Sequence, residues 1–235
     1  MPTKRTTGNP LLDATETEFP TVLETALQSS DCQDAIAELI ETSSYPIDRR
    51  VLAVAATTRT GIPSARVKAA LETVVTRMTD NKNALIAAAV SLAKNLGSAS
   101  SNLLIQQVNS QSQEVRYHIA ELLAWIGSTD IYSVMSEQWK REVTRFKRSK
   151  SPMQFAIVSF DALYLLRNSN GEVEKASWVG QLREAVDRAP DGQRRWLMGS
   201  PLGTVLRGSP PEANDAHWDA AVTSFMADRL LPSLG

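Results

Sequence analysis

From Phe19 onward, apolar residues recur with the period of a helix. Val67, Ala70, Leu71, Val74, Val75 and Met78 fall at i, i+3, i+4, i+7, i+8 and i+11, which places them on one side of a helix. Leu85, Ala88, Ala89, Leu92, Ala93 and Leu96 repeat the pattern, as do Val115, Ile119, Leu122, Leu123 and Ile126. No segment sustains an alternation of apolar and polar residues bounded by hairpin turns. The pattern predicts an all-α protein.

The helix boundaries carry the expected chemistry. Pro20, Pro46, Pro63 and Pro152 suit first-turn positions, and Ser151 before Pro152 suits an N-cap. Gly61, Gly97 and Gly127 each follow an apolar-periodic segment and suit helix C-caps. The helix PMQFAIVSFDALYLL, which begins at Pro152, is apolar nearly all round and is expected to be buried by neighbours on several sides. Residues 1–18 lack periodicity and read as a disordered leader, and residues 19–189 as one helical repeat domain. Residues 190–235, rich in Pro and Gly, read as a helical cap on the same domain with HWDAAVTSFMADRLL as its last helix.

The caps at Gly61, Gly97 and Gly127 are spaced by 36 and then 30 residues, within the range of helical-hairpin repeats. The segment EVRYHIAELLAWIG, Glu114 to Gly127, resembles the second helix of a HEAT repeat, with Val115, Arg116, Ala120, Leu123, Ile126 and Gly127 at the matching positions. NKNALIAAAVSLAKNLG matches the Ala/Leu alternation without the Arg, and DRRVLAVAATTRTG is a weaker copy. The resemblance covers residues 30–170. It implies an α-α superhelix of about five degenerate HEAT-like hairpins with a C-terminal capping segment, each hairpin too thin to bury its apolar side without the next.

Composition narrows the function. The 235 residues are 43% hydrophobic, with 25 basic and 26 acidic side chains and a formal net charge of -1, so no global field steers the surface toward a polyanion. Cys32 stands alone and forms no internal disulfide or zinc-ligand spacing. The N-terminal stretch has no apolar run of a signal peptide, and the most apolar window, Ala84 to Ala93, is too short to span a bilayer. A cytoplasmic protein without membrane association is expected.

Charge is concentrated in one place, WKREVTRFKRSK, Trp139 to Lys150. Six of the 25 basic residues and one of the 26 acidic ones lie there, leaving 19 basic and 25 acidic elsewhere. Tyr132, Met135, Trp139, Val143 and Phe146 share an apolar stripe, with Arg141, Arg145 and Arg148 aligned roughly opposite. The aromatics are therefore expected inside, and the cations on a solvated face. Lys147, Arg148 and Lys150 also offset the partial negative charge of a helix C-terminus. Of the five tryptophans, Trp196 differs in following Arg194 and Arg195 in a loop-rich region, where an aromatic beside guanidinium groups serves as a recognition anchor or a loop anchor.

Enzyme signatures are weak. A family of HEAT-like DNA glycosylases is similar in length and helical character, but there is no tandem Trp followed by Asp, and Trp125 with Asp130 has the wrong spacing for one helix face. No catalytic residue carries over. His118 and His217 lack partners at metal-ligand spacing, and GSPLG at Gly199 lacks the context of a phosphate loop. The expectation is a non-enzymatic module, without cofactor or metal, that binds a protein partner as an adaptor, scaffold or immunity-type inhibitor. Its candidate contacts are Arg116, Tyr117, Arg141, Arg145, Arg148, Arg194, Arg195 and Trp196. The alternative is a nucleic-acid-binding or DNA-repair protein using residues 139–150.

Overall fold

The structure, a computed structural model, describes residues 9–77, 81–189, 191, 192 and 194. All regular elements among them are helical, as the periodicity predicts. The chain divides into two compact units, one ending at Leu96 and the other beginning at Gly97. A single repeat domain was expected over 19–189. The division falls where the polar run GSASSN, residues 97–102, interrupts the apolar period.

The first unit contains α1 (Pro10–Asp13), α2 (Phe19–Leu27), α3 (Gln33–Glu41), α4 (Ile47–Thr60), α5 (Ala65–Arg77) and α6 (Lys82–Leu96). Part of the expected leader is folded. Asn9 caps α1 by accepting from the Leu11 amide at 2.9 Å, Leu11 is buried, and the Arg49 guanidinium donates to the Ala14 carbonyl at 2.7 Å. Leu11 is an apolar side chain within a polar leader, and its burial draws the segment back onto the unit.

Here α3 packs along α5 and α4 along α6. The C-terminal turns of α4 and α6 are joined by the Thr57 and Ser91 hydroxyls at 2.7 Å and by Lys94, which donates to the Thr58 carbonyl. Val67, Ala70, Leu71, Val74 and Val75 are all buried, and Met78 of the same stripe lies outside the described residues. Buried Arg50 donates from Nε and Nη2 to the Ile40 carbonyl at 3.2 and 3.0 Å, a cation closing the end of α3. Pro46 sits at the N-cap of α4 instead of its first turn. Gly61 closes α4 at φ +92°, a left-handed conformation that favours glycine.

The second unit contains α7 (Ser101–Leu104), α8 (Gln113–Ile126), α9 (Tyr132–Ser149), α10 (Pro152–Asn168) and α11 (Glu172–Asp187). Ser151 and Pro152 start α10 as expected, the Ser151 hydroxyl accepting from the Gln154 amide at 3.1 Å. α8 and α10 are parallel neighbours. Gln113 donates to Gln154 near their N-termini at 3.2 Å, and Arg167 donates to the Ala124 carbonyl near their C-termini at 3.1 Å. α10 packs against α8, α9 and α11 and buries every residue from Gln154 to Leu166, although Met153 is exposed. Burial on several sides explains its nearly all-round apolar sequence.

Gly127 ends α8 for a different reason from a left-handed cap, since its φ is -57°. A Cβ there would lie 2.5 Å from both the Leu123 carbonyl oxygen and Cε2 of Tyr164. Tyr164 is fully buried and donates to the Ser128 carbonyl at 2.6 Å, so its ring has nowhere to move. Gly127→Ala is therefore expected to cost about 1–3 kcal/mol through overpacking, read as a lower urea midpoint with an unchanged slope.

Candidate partner-binding groove and its buried polar support

The basic stretch occupies the C-terminal half of α9. Met135, Trp139 and Phe146 of its apolar stripe are buried, and Tyr132 and Val143 are half-buried. The only acidic residue of the stretch, Glu142, has a side-chain exposure of 0%. It falls three residues after Trp139 and four before Phe146, so helix geometry turns it inward with them.

The interior meets that carboxylate with cations and amides. The Arg116 Nε lies 3.2 Å from Glu142 Oε1, as an ion pair without the alignment of a hydrogen bond. Arg145 reaches the same oxygen from the helix surface, Gln138 donates to it at 2.7 Å, and Gln154 donates to Oε2. Arg116 also donates to the Ser110 carbonyl at 2.8 Å, and Gln138 to the Val108 carbonyl at 2.8 Å. Burial draws the Arg116 guanidinium below its usual pKa, with Glu142 opposing. The arrangement joins α8, α9 and α10 through one buried anion.

Asp161, midway along α10, belongs to this cluster without sharing its bonds. It is 1% exposed, and neither carboxylate oxygen has a hydrogen-bond partner. Burial first, and then the like charge of Glu142, push its pKa well above the usual carboxylate range, with Arg116 pulling the other way.

α11 is fastened to α9 near its N-terminus. The Trp178 indole donates to the Tyr132 hydroxyl at 2.8 Å, and that hydroxyl donates to Glu174. The Trp139 and Trp178 rings meet edge to face at 5.2 Å. Beyond this clamp, the two helices leave a cavity of about 480 Å³ between them. Trp139, Val143 and Phe146 form its apolar floor. Lys147 and Lys150 rim it on one side, and Gln181, Glu184 and Arg188 form the wall on α11. Lys150 is held at the mouth by its left-handed conformation, φ +51°, with its amide donating to the Phe146 carbonyl at 2.8 Å.

The residues singled out from sequence are distributed unevenly around this site. Arg116 is 8% exposed and committed to the interior, so it organises α9 from behind. Tyr117 is half-buried, edge-on to His118 at 5.0 Å and to Phe160 at 5.7 Å. Arg141 is exposed and donates to Asn109 Oδ1 at 3.1 Å; Arg148 is exposed; Arg145 is bent toward Glu142. The three arginines do not form one uniform row. Arg194 pairs with Asp191, while Arg195, Trp196 and the segment HWDAAVTSFMADRLL lie outside the described residues. His118 Nδ1 is 3.6 Å from Glu121 Oε2, and no metal-ligating group of three His, Cys, Asp or Glu occurs among the described residues. No helix among the described residues is long and apolar enough to cross a membrane. Glu142, Gln138, Gln154, Asp161 and Arg188 were not anticipated as site residues.

Fold and site together define an all-α protein with a cation-rimmed, aromatic-floored groove. Comparison with known proteins finds no match among family models, curated proteins or solved structures.

Proposed function

We propose that the chain is a non-enzymatic HEAT-like helical-repeat module that binds another protein, as an adaptor, scaffold or immunity-type inhibitor. Support for the repeat reading lies in how helices two apart in sequence lie side by side, α3 with α5, α4 with α6 and α8 with α10, as stacked hairpins require. The observation that carries the binding reading is the burial of Glu142. With its one carboxylate turned inside, the exposed charged side chains of the basic stretch are all cations, Lys140, Arg141, Lys147, Arg148 and Lys150, of which Lys140 pairs with Glu137 one turn earlier. Such a face beside an apolar groove combines steering charge with an anchor pocket.

Affinity capture from the native host tests this. The full chain is expected to retain a stoichiometric protein partner, and an Arg141→Glu, Arg148→Glu variant to lose it. Turnover of a substrate with no partner retained would reverse the reading. The nucleic-acid alternative predicts retention on duplex DNA or heparin that falls steeply with added salt. We expect no retention even at low salt.

A further inference from the structure

We propose that the groove between the C-terminal halves of α9 and α11 receives a protein segment that presents an apolar anchor flanked by acidic side chains. The inference rests on the protein-binding reading and specifies its partner. The floor supplied by Trp139, Val143 and Phe146 is apolar, so it rewards an aliphatic or aromatic side chain. Around it stand the exposed cations Lys147 and Lys150, while Arg188 on the facing side is paired with Glu184. The carboxylate that could have neutralised the α9 side, Glu142, is buried on Arg116. The cationic character of the rim is thus built by the fold, in a chain that is mildly acidic elsewhere.

The opposite wall argues against a phosphodiester backbone as occupant. Exposed Glu184 stands on α11 paired with Arg188, and half-buried Gln181 lies one turn earlier. The paired Glu184 and Arg188 leave this wall without net charge, so a run of phosphates would meet cations on one side alone, while Glu184 and Gln181 offer acceptors to the backbone amides of a peptide. Acidic side chains spaced around an anchor meet Lys147 and Lys150 while avoiding Glu184. The clamp formed by Tyr132, Glu174 and Trp178 holds the closed end of the groove in register, so little ordering is left for the partner to impose.

The test uses the full chain and two synthetic amphipathic peptides with identical leucine spacing, one carrying glutamates and the other lysines at the remaining positions. Binding is read by calorimetry and by the assigned indole N–H resonances of Trp139 and Trp178. The glutamate peptide is expected to bind and move the Trp139 resonance, and the lysine peptide to do neither. Lys147→Glu combined with Lys150→Glu is expected to weaken the glutamate peptide by about tenfold or more, with the fold retained and the melting temperature lowered by only a few degrees, since both positions are exposed and lose no more than their interaction with the helix C-terminus. Equal binding of both peptides, an unmoved Trp139 resonance, or unchanged affinity in the double variant overturns the proposal, as does duplex DNA moving the same resonances in preference to the peptide. A captured host partner that persists in the double variant removes the groove assignment and leaves the module reading intact. Peptide binding with no host partner captured does the reverse.

Discussion

Glu142→Ala is expected to cost about 3–5 kcal/mol of folding stability, the range found when one member of a buried ion pair is removed. The large value follows from what remains. Arg116 would keep its charge at 8% exposure, hydrogen-bonded to the Ser110 and Gln111 carbonyls and with Asp161 as its remaining nearby carboxyl. Gln138 and Gln154 would each lose one acceptor while keeping a backbone carbonyl, of Val108 and of residue 142, so their share of the loss is smaller than that of the unpaired guanidinium. Chemical denaturation followed by circular dichroism measures the loss. A second variant separates the charge from the packing: Arg116→Met combined with Glu142→Leu replaces the pair with apolar groups of similar volume and is expected to recover most of the loss. If the double variant is as unstable as Glu142→Ala, the cluster is not held together by this pair. Arg145, whose side chain is 41% exposed, is expected to contribute far less, because solvent screens its half of the interaction.

Asp161→Asn is expected to stabilise the protein, and to do so increasingly as pH rises. The folded-state pKa of Asp161 lies well above that of an unfolded aspartate. The folded form therefore binds this proton more tightly than the unfolded chain does. The associated stability is fully present below the unfolded value, about 4, and is lost as pH rises through the folded-state value. Asparagine abolishes that loss. The two proteins should melt alike near pH 4, and the variant should gain on the wild type as pH increases. The expected gain at pH 8 is about 1.4 kcal/mol for each unit by which burial raises the folded-state pKa, or roughly 2–4 °C in Tm for each kcal/mol. A difference between the melting curves that does not change with pH would show that Asp161 has an ordinary pKa.

Much of this was visible in the residue pattern, with particular exceptions. Every described residue of the α5 and α8 stripes is buried, because a helix segregates i, i+3, i+4 and i+7 whatever it packs against. The basic stretch was read with its aromatics inside, and Met135, Trp139 and Phe146 are buried. Glu142 was also legible in principle, since a residue three after one stripe position and four before another must point inward. In the sequence it stands as one charge among seven. Asp161 left a similar trace, as the lone carboxylate in the run PMQFAIVSFDALYLL. Gly127 was correctly placed at the end of α8 but for the wrong cause. Its need is the Tyr164 ring, which lies 37 positions further along the chain, and no local rule reports a contact at that distance.

By itself the sequence determined the helices, their buried faces and most of their ends, all of which depend on interactions within a few residues of one another. Tertiary structure alone decided that Arg116 turns inward to Glu142, that Arg145 leaves the expected arginine row, and that α11 stands away from α9 to open a groove. The physical reason is separation along the chain. Helical periodicity fixes which side of a helix a residue occupies, but the charge that meets it there comes from another helix, and the favourable pairing exists only once both are packed and dry.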